Sequence, residues 1–358
     1  MSEMKDMLIE VIDKIFKDCA DKETVDLLEE GKWAENLWEL LAENEMLNFA
    51  LLEEHGGVGG DLDCIFNVYR LVGRYAVPIP FVEHTLANFT LETSGLSPIT
   101  ERATILIDEE QMLELQEDRL SGLLHNVPWA RHMQQLVTAA KQQDDYYIVQ
   151  IPLENAAITK QINLAAEPRD SITFNNAAVI QKIVVPYELI QSLKKINTAA
   201  NIAKMSGALE KANELTVQYS KERQQFGRPI HRFQLIQQHI AILAGETAIT
   251  NTSVDNMISA LAEGREEYEV ALARLRIDDS SRIVATSAHQ VHAAIGVTHE
   301  HNLHYYTRRL WSWREEGYTS YYWKKVLAQT LLQSEMDLWE FITKSNNVIQ
   351  PIGGETNG

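Results

Sequence analysis

The segment from Tyr219 to Gln234 holds the densest set of groups able to grip an anion. It reads Tyr219-Ser220-Lys221-Glu222-Arg223-Gln224-Gln225-Phe226-Gly227-Arg228-Pro229-Ile230-His231-Arg232-Phe233-Gln234. A helix that ends near Gly227 and restarts at Pro229, whose missing N–H is unneeded there, leaves a turn presenting arginines, a ring and several amides. Guanidinium groups so placed grip a phosphate or another polyanion in bidentate fashion. The plainer reading is a helix connection whose arginines pair with surface acids.

A second stretch, Trp313-Arg314-Glu315-Glu316-Gly317-Tyr318-Thr319-Ser320, sets two carboxylates before a glycine. A carboxylate that loses water when an apolar ligand closes over it gains the basicity needed to take a proton from carbon. Ordinary helix-end acids are the other reading. Five of the 11 histidines fall at His289, His292, His299, His301 and His304. Helical spacing sets His289 near His292 and His301 near His304. Such density raises the question of a metal, but no Glu in the chain has a His three residues later. The Glu-x-x-His pairs of a di-iron bundle are therefore missing, and no metal is expected. Tyr305, Tyr306, Trp311, Trp313, Tyr318, Tyr321, Tyr322 and Trp323 suit helix packing, a subunit interface or the wall of a ligand cavity. Arg308 and Arg309 among them read as phosphate anchors or as partners of Glu315 and Glu316. The run His55-Gly56-Gly57-Val58-Gly59-Gly60 matches neither a dinucleotide nor a P-loop spacing, and no strand precedes it.

Three blocks must position these groups. From Met4 to about Thr93 apolar residues recur at helical spacing, as in Leu8, Ile12, Ile15 and Phe16, and Asp61 is placed to cap a helix carrying Ile65, Val68, Tyr69 and Val72. Between about Leu96 and Val185 short β-type runs take over: Thr104–Ile107, Leu136–Thr138, Tyr146–Ile151, Ile172–Phe174 and Ile183–Val185. After Pro186 the helical pattern returns, with Ile202, Met205, Leu209, Ala212, Leu215 and Tyr219 on one face. The expected fold is mostly α with a β insert: a helical domain at 1–95, a β domain at 96–188, a helical bundle at 189–346 and a polar tail at 347–358.

The chain has 358 residues, 45% of them hydrophobic, with 32 Lys and Arg against 51 Asp and Glu and a formal charge of −19. That length supports two or three domains whose core needs no disulfide or metal staple. Such negative charge, without basic runs, excludes nucleic acid as the default partner. Cys19 and Cys64 cannot build a disulfide framework or a four-thiolate zinc site, so a reducing compartment is expected. Charges interrupt every apolar stretch at the N-terminus, and no run approaches the roughly 18 apolar residues of a spanning helix. Neither a secretory signal nor membrane insertion is expected, and the location reads as cytoplasmic.

Arg223-x-x-Phe226-Gly227-x-Pro229-Ile230 followed by Phe233-Gln234 resembles the hallmark of the acyl-CoA dehydrogenase family. Leu51-Leu52-Glu53-Glu54-His55-Gly56-Gly57 is similar to the N-terminal helical domain of that family, and Gln290-Val291-His292-Ala293-Ala294-Ile295-Gly296-Val297-Thr298 to a motif of its C-terminal domain. The helix, strand, helix order is the family's layout. The resemblance implies a flavoprotein that oxidises an acyl-CoA or a related acyl thioester to its α,β-unsaturated product, with an electron-transfer flavoprotein as partner. Arg223, Phe226 and Gln234 would contact the FAD of a neighbouring subunit, with Gln290, Ala293, Ala294 and Thr319 at the same cofactor, in a homo-dimer, homo-tetramer or hetero-oligomer. Glu316 is the implied α-proton acceptor, with Glu300 as a rival and Asn197 where some members place the base. Two departures mark the chain: Tyr318 stands inside the Glu-Gly-Thr-Ser pattern, and Ala293 and Ala294 replace two glycines. The flavin-ring loops are assigned to the vicinity of His125-Asn126-Val127-Pro128-Trp129. The alternative is a non-catalytic or half-site subunit that completes a partner's site.

Overall fold

Apolar residues at three- and four-residue spacing fold the N-terminal block into α1 (Ser2–Cys19), α2 (Lys22–Glu29), α3 (Glu35–Glu43), α4 (Leu62–Arg74) and α5 (Phe81–Thr93). The computed structural model describes residues 2–57, 59, 61–265, 268–334 and 337–340. The expected polar tail lies outside these residues, as do Val58 and Gly60 of the glycine run. Asp61 caps α4 as its position requires, accepting from Asp63 N at 2.9 Å and Cys64 N at 3.3 Å.

The middle block forms one sheet from β1 (Ala103–Leu106), β2 (Leu113–Gln116), β3 (Arg119–Pro128), β4 (Gln135–Gln142), β5 (Asp145–Pro152), β6 (Ala157–Thr159), β7 (Arg169–Ala178) and β8 (Gln181–Val185). The strands run β6-β7-β3-β2-β4-β5-β8, with β1 and β2 both parallel to β4. Alternation along β4 explains why the sheet joins two cores. Val137 and Ala139 pack with the helices, whereas Leu136 and Ala140 enter a second core with Leu115, Leu124, Ile151 and Ile172. Strands β2, β3 and β6 were not anticipated. In β3 most side chains are exposed, and two register shifts against β7 break the alternation that would have marked it. The segment from His125 to Pro128, read above as loop, is therefore strand.

The C-terminal block comprises α6 (Tyr187–Glu222), the ribbon β9 (Gln224–Gln225) and β10 (Arg228–Pro229), then α7 (Gln234–Ala262), α8 (Glu269–His292), α9 (Leu303–Trp313) and α10 (Ser320–Gln333). Pro229 does not start an α-helix. It pairs with Gln224 in the ribbon, Ile230 N donates to the Arg223 carbonyl at 2.8 Å, a single 3-10 turn follows at Ile230–Arg232, and α-helix resumes only at Gln234. No helix among the described residues is long and apolar enough to cross a membrane.

Two glycines bring α4 against α6. A Cβ on Gly73 would stand 1.7 Å from the Lys204 carbonyl oxygen, and one on Gly207 would stand 1.9 Å from that of Arg70. The backbones thus meet without intervening side chains, and this contact sets the height of α6 over the sheet. Replacing Gly207 by Ala forces the helices apart, so urea denaturation of Gly207→Ala is expected to show a loss of about 3 kcal/mol or no folded protein. A loss under about 0.5 kcal/mol would show that the crossing yields easily.

Candidate active site

Where the three blocks meet they leave a cavity of about 540 Å³. Its sheet wall carries Ile105, Leu106 and Ile107, with His125, Asn126 and Pro128 from β3. Facing them, α6 presents Lys194, Asn197, Thr198, Asn201 and Lys204, α5 adds Val82, Glu83 and Leu86, and the turn after α9 brings Glu315, Glu316, Gly317 and Tyr318. The lining mixes apolar side chains with charged and amide groups.

Glu316 is on this wall, but both its oxygens are engaged. Arg169 donates from Nε to Oε1 at 3.0 Å and from Nη2 to Oε2 at 2.9 Å, and Asn163 Nδ2 donates to Oε1 at 2.8 Å. Arg169 is buried and also donates to Glu167 Oε2 at 3.0 Å. Trp313 Nε1 reaches the same Glu167 oxygen at 2.8 Å, and the Arg309 guanidinium lies 3.3 Å from Oε1. Burial alone would push the Glu167 carboxyl up. Arg169 and Arg309 outweigh it and hold the group well below the usual carboxylate range. Glu315 pairs instead with neighbouring Arg314, and Glu300 is exposed outside the cavity.

The arginine pair does not meet the acids proposed for it. Arg308 reaches Glu29 of α2 and the Leu164 carbonyl, while Arg309 turns inward to Glu167 and the Tyr305 carbonyl. Being four and five residues before Trp313 on α9 aims both side chains away from the following turn. Tyr318, the residue that interrupts the glutamate motif, ties that turn to the sheet. Its hydroxyl accepts from Glu109 N at 3.0 Å, and its ring and that of Tyr322 lie 4.0 and 4.2 Å from Lys194 Nζ. Burial of the phenol raises the Tyr318 pKa, so it stays protonated.

The remaining candidates gather elsewhere. Arg223, Phe226 and Gln234 lie exposed on the turn beyond α6, with Phe226 92% accessible and edge-on to Phe233. Gln290, Ala293 and Ala294 lie exposed at the end of α8. These two sets are joined by Tyr219, whose ring stacks on His292 at 4.4 Å. Thr319 is the exposed N-cap residue of α10 and does not line the cavity. Ala293 has φ of 54° and ψ of −140°, a conformation suited to glycine, so its methyl group sits on a strained backbone.

The histidines form a ring cluster rather than a metal cage. His292 meets His301 at 4.4 Å and His299 meets His304 at 5.1 Å, and no group of ligands suited to a metal occurs among the described residues. The groups that sequence reasoning missed are Asn163, Arg169, Lys194, Asn201 and Lys204. The three on α6 were signalled by polar residues at helical spacing inside a buried helix. Nothing in the sequence linked Arg169 to Glu316 across 147 positions.

Burial lowers the pKa of His292 to about 4 and also lowers those of His289, His301 and His304. These rings stay neutral in the fold yet take up protons near pH 6.5 once unfolded, so stability falls as pH drops below 6.5. The urea midpoint should therefore be lower at pH 5 than at pH 7.5, and His292→Phe should lose less over that interval. An equal loss in the variant would remove His292 from the titrating set.

Residues 191–315 match the family model described as acyl-CoA dehydrogenase, C-terminal domain. Acyl-CoA dehydrogenase IpdE2 of Mycolicibacterium smegmatis is 27% identical over 315 residues, covering 86% of this chain and 93% of that protein. The fold matches the ChsE4-ChsE5 complex from Mycobacterium tuberculosis with a TM-score of 0.86 at 19% identity, over 94% of this chain and 99% of that one. It matches glutaryl-coenzyme A dehydrogenase in its glutaryl-CoA complex with a TM-score of 0.83 at 18% identity, over 93% and 96% of the two chains. The match of residues 191–315, the likeness to IpdE2 along most of the chain and the helix, sheet, helix layout make this chain similar to the flavin oxidoreductases of the acyl-CoA dehydrogenase family.

Proposed function

We propose that this chain carries out FAD-dependent α,β-dehydrogenation of an acyl-CoA or related thioester, with Glu316 as the α-proton acceptor. The observation that carries the reading is the position of Glu316 on the wall of the cavity, on a turn anchored by Tyr318 and backed by buried Arg169. Release of Arg169 Nη2 from Oε2 frees a lone pair for the substrate Cα proton, while Asn163 keeps the carboxylate aimed through Oε1. FAD, when bound, supplies the acceptor for the hydride that leaves Cβ, so the double bond forms as the proton passes to Glu316. An electron-transfer flavoprotein is the proposed onward acceptor.

The residues of the α6 turn suit such a cofactor: Arg223 and Arg228 for its phosphates, the open ring of Phe226 for a base, and Gln234 as an amide donor. They stand far from the cavity of their own chain. Arg223 follows Asn201 by 22 positions along α6, about 33 Å at 1.5 Å per residue. That distance supports a site in which one subunit's turn serves another subunit's cavity, in a homo- or hetero-oligomer.

A second reading is favoured by the same Arg169 to Glu316 pair. Three donors on one carboxylate describe a structural anchor as well as a waiting base, and the chain would then be the half-site subunit of a heteromer. One of the structural relatives is itself a two-component complex, ChsE4-ChsE5. Glu316→Gln is expected to retain flavin and to lose about 10²–10⁴-fold in kcat, in the range of general-base contributions. Full activity would eliminate Glu316 as the base, whereas an unaltered chain that is inactive alone and active only with an added partner would favour the half-site reading. Arg223→Ala should weaken FAD retention at least tenfold, measured as flavin released during dialysis, and unchanged retention would contradict the assignment of the turn.

A further inference from the structure

A helix crossing the centre of a protein normally buries an apolar stripe. On its cavity side α6 instead presents Lys194, Asn197, Asn201 and Lys204, at spacings that line them along one face for about 15 Å. The charges around the cavity are already matched. Lys194 lies 3.0 Å from Glu109, Lys204 3.3 Å from Glu83, Arg274 3.2 Å from Asp278, and Arg169 sits between two glutamates. An ionised group on the acyl chain would gain a partner here only by breaking a buried pair, which is costly. A neutral group that both donates and accepts meets no such penalty.

Asn201 and Lys204 offer complementary halves for such a group. Asn201 Nδ2 donates to the Trp313 carbonyl at 2.7 Å, which fixes the orientation of the amide, and its Oδ1 is a buried acceptor with no donor among the described residues. Buried acceptors left without donors are rare and call for a partner. One turn along, Lys204 Nζ makes its hydrogen bond to Glu83 and lies 4.9 Å from the centre of the Trp313 ring, leaving protons to donate. An O–H reaching both residues would donate to Asn201 Oδ1 and accept from Lys204 Nζ.

We propose that the acyl group accepted by this cavity carries a hydroxyl, read by Asn201 and Lys204 as a donor and acceptor at once. The inference rests on the thioester reading above and goes beyond it by naming the substituent. A site built to hydrogen-bond a hydroxyl discriminates strongly against the analogue that lacks it, because its own polar groups are then left unpaired.

The test is calorimetric titration of the full-length flavin-loaded protein with hexanoyl-CoA and with each positional isomer of hydroxyhexanoyl-CoA, under anaerobic conditions. At least one hydroxylated isomer is expected to bind tenfold or more tightly than hexanoyl-CoA. Asn201→Leu is expected to abolish that preference. Hexanoyl-CoA binding as tightly as every hydroxylated isomer in the unaltered protein overturns the proposal, whether or not the variant folds. A preference surviving in Asn201→Leu overturns it as well. Hexanoyl-CoA that binds and bleaches the flavin with no hydroxyl preference leaves the dehydrogenase reading standing and removes only the hydroxyl. Failure of both classes to bind removes both.

Discussion

Arg169 is buried at the start of β7 and so has to be neutralised where it stands, since a lone buried charge costs several kcal/mol. Its two carboxylates come from different places. Glu167 lies two residues earlier on the approach to β7, and Glu316 on the turn after α9. Arg309 and Trp313 of α9 add their own bonds to Glu167. The sheet, α9 and the turn are therefore fixed to one another through ionic contacts, and the cavity wall inherits that rigidity. Removing Glu167 leaves Arg309 buried without a carboxylate among the described residues. The interaction that sets Glu316 at the cavity is the same one that occupies its oxygens.

The helix α6 is the second organising element, because it serves both regions of interest. Its central part is pressed against α4 through Gly73 and Gly207, which sets the lysine and asparagine stripe over the sheet. Its far end delivers the arginine turn to an exposed surface beside the end of α8, through the stacked rings of Tyr219 and His292. Rigid-helix geometry keeps these two regions apart within one chain. The strained Ala293, the open Phe226 ring and the exposed Gln290 lie towards that far end, away from the cavity.

The layout of helices, strands and helices was legible because it rests on local periodicity, and the arginine turn because its residue types are contiguous. The cap at Asp61 followed from the same local rules. What escaped depended on contacts between distant segments. β3 was hidden by its exposed side chains and bulges, and the pairing of Arg169 with Glu316 has no sequence signature. Arg308 and Arg309 read as phosphate anchors or as partners of Glu315 and Glu316, yet α9 turns them toward Glu29 and Glu167 instead. Tyr318 looked like damage to a motif. In the fold its hydroxyl and ring tie the turn to the β1–β2 connection and to Lys194.

The two carboxylates around Arg169 are not equivalent, and the difference bears on how the cavity can work. Glu167 is 5% exposed and accepts from Asn163, Arg169 and Trp313, so its departure would orphan several donors at once. Glu316 is 25% exposed and stands at the cavity edge. If Glu316 turns away, Arg169 keeps Glu167 at 3.0 Å and the Pro168 carbonyl at 2.8 Å, and so remains paired. A single buried arginine with one carboxylate would hold that carboxylate permanently. With two, the inner one neutralises the arginine, so the outer one can exchange partners without leaving the arginine unpaired, as the proposed base role requires.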